Sequence, residues 1–150
     1  RKLIVGILSK EPMYALDTNN FLIASGDTAG YCAVCEQDGS PYELEYIQAW
    51  LTNDFTERIL QMIGSDFENG FYSRGRSVLV TLPFIELDFD EPNQKSIYDR
   101  VVKATRTIYQ INEELAKQPA KRIINILQRQ KNNLISEIQE LIARVYRLEF

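Results

Sequence analysis

At 150 residues, with 45% hydrophobic and 25% charged side chains, the chain has the composition of one globular domain, or of a small domain carrying an appendage. No apolar run approaches the roughly 18–20 residues that cross a bilayer, and no signal-peptide pattern opens the sequence, so no membrane partner is expected. The net charge of −4, taken over the whole chain, speaks against a nucleic-acid partner, and the absence of histidine excludes Ser-His-Asp, Cys-His and histidine-ligated metal chemistry.

Residues 2–8 are a short apolar run of strand length, already under way at the start of the sequence. That abrupt opening raises the expectation of a piece of a longer protein, with chemistry in the part outside it. Residues 13–16 and 21–24 flank the turn-rich Asp17-Thr-Asn-Asn20 and are expected to pair as a hairpin. Residues 31–34 make a further strand, within a stretch, residues 28–35, that reads as extended and carries Cys32 and Cys35. Positions three apart on a strand face opposite sides, so one thiol should be buried and the other exposed. A lone Cys-x-x-Cys without histidine does not close a zinc site, and two structural thiols fit a reducing cytoplasm, bacterial or archaeal.

Ser40-Pro41-Tyr42-Glu43 reads as a helix start, with Ser40 as cap and Pro41 at the first position. Leu44, Ile47, Leu51, Phe55, Ile59 and Met62 recur at three and four residues, which predicts one amphipathic helix ended by Gly64. It should cover the sheet, with Trp50 in the core. Residues 64–76 show no periodicity and read as a loop; residues 79–87 return to the core, beginning as an apolar strand. The acidic stretch 86–92 reads as a solvated connector rather than a metal site.

From Asn93 the pattern becomes a heptad seam: Ile97, Val101, Ala104, Ile108, Ile111 and Leu115. Pro119 interrupts it. It restarts through Ala120, Ile124, Leu127, Lys131, Leu134, Ile138, Leu141, Val145 and Leu148, with Lys131 the one break in its apolar rule. Two helices turning near 117–119 predict an antiparallel hairpin, the second helix about 40 Å long at 1.5 Å per residue. Ile123, Ile126, Ile135 and Ile142 widen its stripe and call for a second surface. The expected class is therefore α+β: a small antiparallel or mixed sheet with a covering helix in residues 1–92, then a long, coiled-coil-like antiparallel helical hairpin in residues 93–150. Charge divides along the same line. Residues 1–92 hold 6 Lys/Arg against 15 Asp/Glu, and residues 93–150 hold 11 against 6.

No catalytic constellation emerges. The chemical handle is the loop, where Asn69, Tyr72, Ser73, Arg74 and Arg76 supply donors on a backbone freed by Gly70 and Gly75. Arginine bridges the two acceptors of guanine or grips phosphate, and asparagine pairs with adenine. Lys10 and Asn19–Asn20 are secondary candidates, because they lie on turns.

The order of motifs adds to this. The helix Tyr42-Glu-Leu-Glu-Tyr-Ile-Gln-Ala-Trp-Leu-Thr-Asn53, the Gly70-Phe-Tyr-Ser-Arg74 loop, the Leu79…Leu82-Pro83 closure and the Asn93-Gln94-Lys95 helix start follow in sequence. Over roughly residues 1–115 this resembles the C-terminal target recognition domain of adenine-specific DNA methyltransferases and fused Type IIG restriction–modification enzymes. It is also similar to recognition domains of Type I specificity subunits. The resemblance implies a domain that selects double-stranded DNA sequence for a methyltransferase domain of the same chain, and a parent enzyme that uses S-adenosylmethionine. The family's cofactor and catalytic motifs do not occur in these residues, so neither the cofactor nor catalysis is expected here. The strongly acidic N-terminal portion departs from a broad phosphate-binding face. The rival expectation is a protein-interaction module in which the hairpin drives self-association or docking without DNA contact.

Overall fold

The computed structural model describes residues 1–23, 30–64 and 66–147. The chain is α+β and divides into two compact units, Arg1–Phe84 and Ile85–Phe150.

The first unit is built on two small antiparallel sheets. Strand β1 (Lys2–Gly6) is central in the first, flanked by β3 (Tyr14–Asp17) and β4 (Tyr31–Cys35), so that Leu3 lies opposite both Leu16 and Val34. Leu3 and Val5 alternate inward and are fully buried, each contributing about 1.5–3 kcal/mol by removal from water. The chain leaves this sheet at Ile7 and enters the second, in which β6 (Phe71–Ser73) lies between β2 (Leu8–Ser9) and β5 (Asp66–Phe67). The Ile7 carbonyl accepts from the Arg74 amide and the Ile7 amide donates to Gly30, so one residue joins both sheets.

The turn at Asp17 is present, but its strand pairing differs from expectation. The Asp17 carboxylate accepts from the amides of Asn19 and Phe21, and Asn20 takes a left-handed φ of 56°. Strand β3 pairs with β1, however, and residues 21–23 form no strand; Ala24 lies outside the described residues. Cys32 is half-buried and Cys35 exposed, on opposite faces of β4, and burial pushes the Cys32 thiol pKa up.

The single helix expected over 41–63 is two, α1 (Leu44–Leu51) and α2 (Asp54–Ile63). The break follows from Thr52-Asn53. The Thr52 hydroxyl donates back to the carbonyls of Gln48 and Ala49, and the Asn53 side chain caps α2 by accepting from the Phe55 amide. Such short polar side chains compete with the helical ladder, and asparagine is among the preferred N-caps. Ser40 caps a turn at Tyr42 instead of the helix. Helix α1 packs on β1 and β3 and buries Trp50 in the core, where Tyr42, Tyr46 and Trp50 all meet the Phe84 ring edge-on. Residues 79–84 are not a strand: α3 (Arg76–Leu79) occupies the start of the apolar run.

In the second unit, α4 (Pro92–Ala116) and α5 (Lys121–Arg147) form the antiparallel hairpin. Glu91 caps α4 by accepting from the amides of Asn93 and Gln94, and Pro92 sits at the first helical position, where no amide is needed. The turn carries a left-handed Gln118, φ 53°, followed by Pro119. Contacts of Arg100 with Glu137 and of Asn112 with Lys131 fix the antiparallel sense. Ile97, Val101, Ala104, Ile111, Ile138, Leu141 and Val145 are buried along the seam, while Leu148 lies outside the described residues. Ile142 is buried as well; Ile123, Ile126 and Ile135 are exposed.

Candidate functional site

The expected loop is a β-hairpin. Strands β5 and β6 pair Phe67 with Phe71 across the turn Glu68–Gly70, in which Asn69 (φ 67°) and Gly70 (φ 75°) are both left-handed. These residue types visit that region at least cost, so the Asn-Gly dipeptide itself was the hairpin signal. Asn69 is exposed at this tip. Tyr72 and Ser73 are half-buried on β6, paired with Ser9 and Leu8 of β2. Lys10 follows β2, and its ammonium lies 5.2 Å from the centre of the Phe71 ring, a cation–π distance. Lys10, Tyr72 and Ser73 are thereby brought onto one small sheet.

Arg74 corrects the expectation of a solvent-facing donor. Its side chain is 0% exposed. Nη1 and Nη2 donate to the two carboxylate oxygens of Glu57 at 2.5 and 2.7 Å, Nε donates to Ser9 Oγ at 2.8 Å, and Nη2 reaches the Lys10 carbonyl at 3.4 Å. Burial opposes the charge, but the Glu57 carboxylate outweighs it, and the Arg74 pKa is raised above its ordinary value. Burial likewise raises the pKa of the neighbouring Tyr14 phenol, with the Arg74 charge acting in the opposite direction. Arg74 thus ties α2, β2 and the end of β6 together. The neighbouring glycine in its sequence hid this role: donors on a glycine-bearing segment look like a surface loop until a buried carboxylate is found opposite.

Arg76 is the opposite case. It is exposed at the start of α3 and forms no ion pair among the described residues. Together with Ser73 it lines a groove of about 1150 Å³ whose other wall is strand β4. That wall adds Tyr31, the segment after it adds Gln37, and α3 adds Ser77, three polar groups that the sequence reading missed because no local spacing links them to the hairpin. The groove therefore gathers hydroxyl, amide and guanidinium donors in one concavity. Asn69, Tyr72 and Lys10 do not line it, and Asn19 and Asn20 are exposed on the Asp17 turn. Among the described residues, no group of three or more Asp, Glu, Cys or His is placed to hold a metal ion, and no helix is long and apolar enough to cross a membrane.

No protein-family model matches the chain, and no solved structure matches it. Over 101 residues it is 39% identical to the Type II restriction enzyme and methyltransferase RM.Eco57I of Escherichia coli. The match covers 67% of this chain and 10% of that protein, so the chain spans about a tenth of the relative's length.

Proposed function

We propose that the chain is a DNA-recognition portion of a restriction–modification enzyme, selecting duplex sequence for a methyltransferase domain elsewhere in the parent protein. The observation that carries this reading is the 39% identity, over two thirds of the chain, to a protein named for both activities. In this reading the first unit reads DNA through Arg76, helped by Ser73 and the adjoining donors Asn69, Tyr72 and Lys10. The helical hairpin serves as spacer and docking element. Arg74 acts on DNA only indirectly, by holding the β2–β6 sheet that leads through Gly75 into α3 and Arg76. In this reading S-adenosylmethionine is bound by the parent's methyltransferase domain, outside these residues.

The test is the single substitution Arg76→Ala, with duplex binding measured by fluorescence anisotropy. A guanidinium bridging a guanine contributes about 1–3 kcal/mol of discrimination, so affinity for the preferred duplex should fall roughly 5- to 150-fold while urea stability is unchanged. Unaltered affinity and sequence preference would remove Arg76 from the interface. A second reading, protein docking through the hairpin, draws on exposed Ile123, Ile126 and Ile135 on α5. Duplex binding that weakens steeply with salt favours the first reading, and salt-insensitive self-association with no duplex binding favours the second.

A further inference from the structure

Resting on the DNA-recognition reading, a further cationic surface of the chain lies on the helical hairpin. Where the first turns of α4 face the last turns of α5, a depression of about 250 Å³ is floored by Ile97 and Leu141 and walled by Ser96, Arg100, Arg144 and Arg147. It is smaller than the roughly 300–1,000 Å³ of small-molecule sites, so a nucleoside would not be enclosed, whereas a phosphate group is of the right size. The charges are unevenly compensated. Glu137 neutralises Arg100, while Arg144 and Arg147 have no ion-pair partner among the described residues. Glu140, one turn before Arg144, makes no bond to it among those residues.

A shallower surface continues along α4 past Lys95, Asp99 and Arg100 to Lys103. Asp99 pairs with Lys95, and Lys103 remains without an ion-pair partner among the described residues. Ser96, Arg100 and Lys103 recur at four and three and so share one helix face. From residue 93 to residue 103 the strip runs about 15 Å at 1.5 Å per residue. One strand of duplex DNA places a phosphate every 3.4 Å of axis, so a strip of that length passes roughly four of them. Arg144 and Arg147 also complement the C-terminal end of the α5 dipole. That alone explains neither Arg100 on the facing helix nor the apolar-floored depression between them.

We infer that the depression between Arg100, Arg144 and Arg147 grips a backbone phosphate of duplex DNA, with Lys103 extending the contact along the strand. The contact is to phosphate and carries no sequence information. The experiment compares the 150-residue chain, the R144A/R147A variant and the charge-matched K121A/R122A variant at the other end of α5, by anisotropy on two duplexes of unrelated sequence across a salt series. Losing two phosphate contacts should reduce the slope of log affinity against log salt by about 1.8 and lower affinity at 100 mM salt roughly 50-fold, equally on both duplexes. K121A/R122A should keep the original slope, and circular dichroism should show unchanged helix in both variants. An unchanged slope in R144A/R147A, or equal loss in both variants, overturns the inference. If R76A weakens binding while R144A/R147A does not, only this site fails. If the unmodified chain binds neither duplex, the recognition reading fails with it.

Discussion

Replacing Arg74 with alanine should damage stability first and DNA binding only as a consequence. The guanidinium is fully buried and donates to both carboxylate oxygens of Glu57, itself only 13% exposed, whose Oε1 also accepts from the Gln61 side-chain amide. Removing one member of such a pair leaves the other charge buried without its counterion, which costs about 3–5 kcal/mol when solvent is wholly excluded. Residual access of water to Glu57 places the expected loss near the lower end, about 3 kcal/mol. The Ser9 hydroxyl and the Lys10 carbonyl also lose a charged donor, within the same figure because these contacts act together. Urea unfolding followed by tryptophan fluorescence is the direct assay, since Trp50 is the chain's one tryptophan and lies in the core of the same unit. The double variant Arg74→Met, Glu57→Leu removes both charges and should recover much of the loss. A variant Arg74→Ala that unfolds within about 1 kcal/mol of the original, yet has lost duplex binding, would refute the reasoning and return Arg74 to the DNA surface.

Two further outcomes follow from the first unit. Asp17 is held below the usual carboxylate range by its bond to Lys2 at 2.5 Å and by the amides of Asn19 and Phe21. A depressed pKa contributes stability that is present above the unfolded value, about 3.9, and is lost as pH falls through the folded value. Asp17→Asn should therefore be less stable than the original at neutral pH, with the gap closing in acid; a gap unchanged from pH 7 to pH 2 would contradict it. Gly64 has an ordinary φ of −74°, but a Cβ there would stand 2.8 Å from the Leu60 carbonyl oxygen and 3.4 Å from that of Ser73. Gly64→Ala should cost about 1–3 kcal/mol in urea melts through this overlap, and an equal or higher midpoint would show that the backbone yields freely.

The hairpin of α4 and α5 was the most legible part of the molecule. Its apolar residues recur every three and four positions for more than fifty residues, and one proline marks the turn, so local pattern and tertiary packing agree. The α1–α2 region shows where periodicity misleads. Apolar positions stay in phase across Thr52-Asn53, and only the hydroxyl and amide hydrogen bonds to the backbone reveal the break. The hairpin at Asn69-Gly70 was written in a dipeptide, but its strands are two and three residues long, too short for alternation to register. Arg74 was illegible for another reason. A buried ion pair needs both partners, and Glu57 lies 17 residues earlier on a helix whose charges look like any solvated face.

The contact between Lys131 and Asn112 has a consequence beyond the bond itself. Lys131 occupies a seam position, half-buried, and its ammonium donates to the Asn112 side chain at 2.8 Å from across the hairpin. An unbroken apolar seam tolerates sliding, because a shift by one heptad exchanges one aliphatic layer for another. The cationic rung disfavours that shift: displaced by seven residues, or about 10 Å, the ammonium would lose the Asn112 amide oxygen and face Thr105 or Pro119 instead. It likewise disfavours exchange of α5 between two copies in any alignment but the native one. A single polar position thus works as a molecular vernier, setting how far the two rods overlap and hence where the tip of the hairpin lies relative to its base.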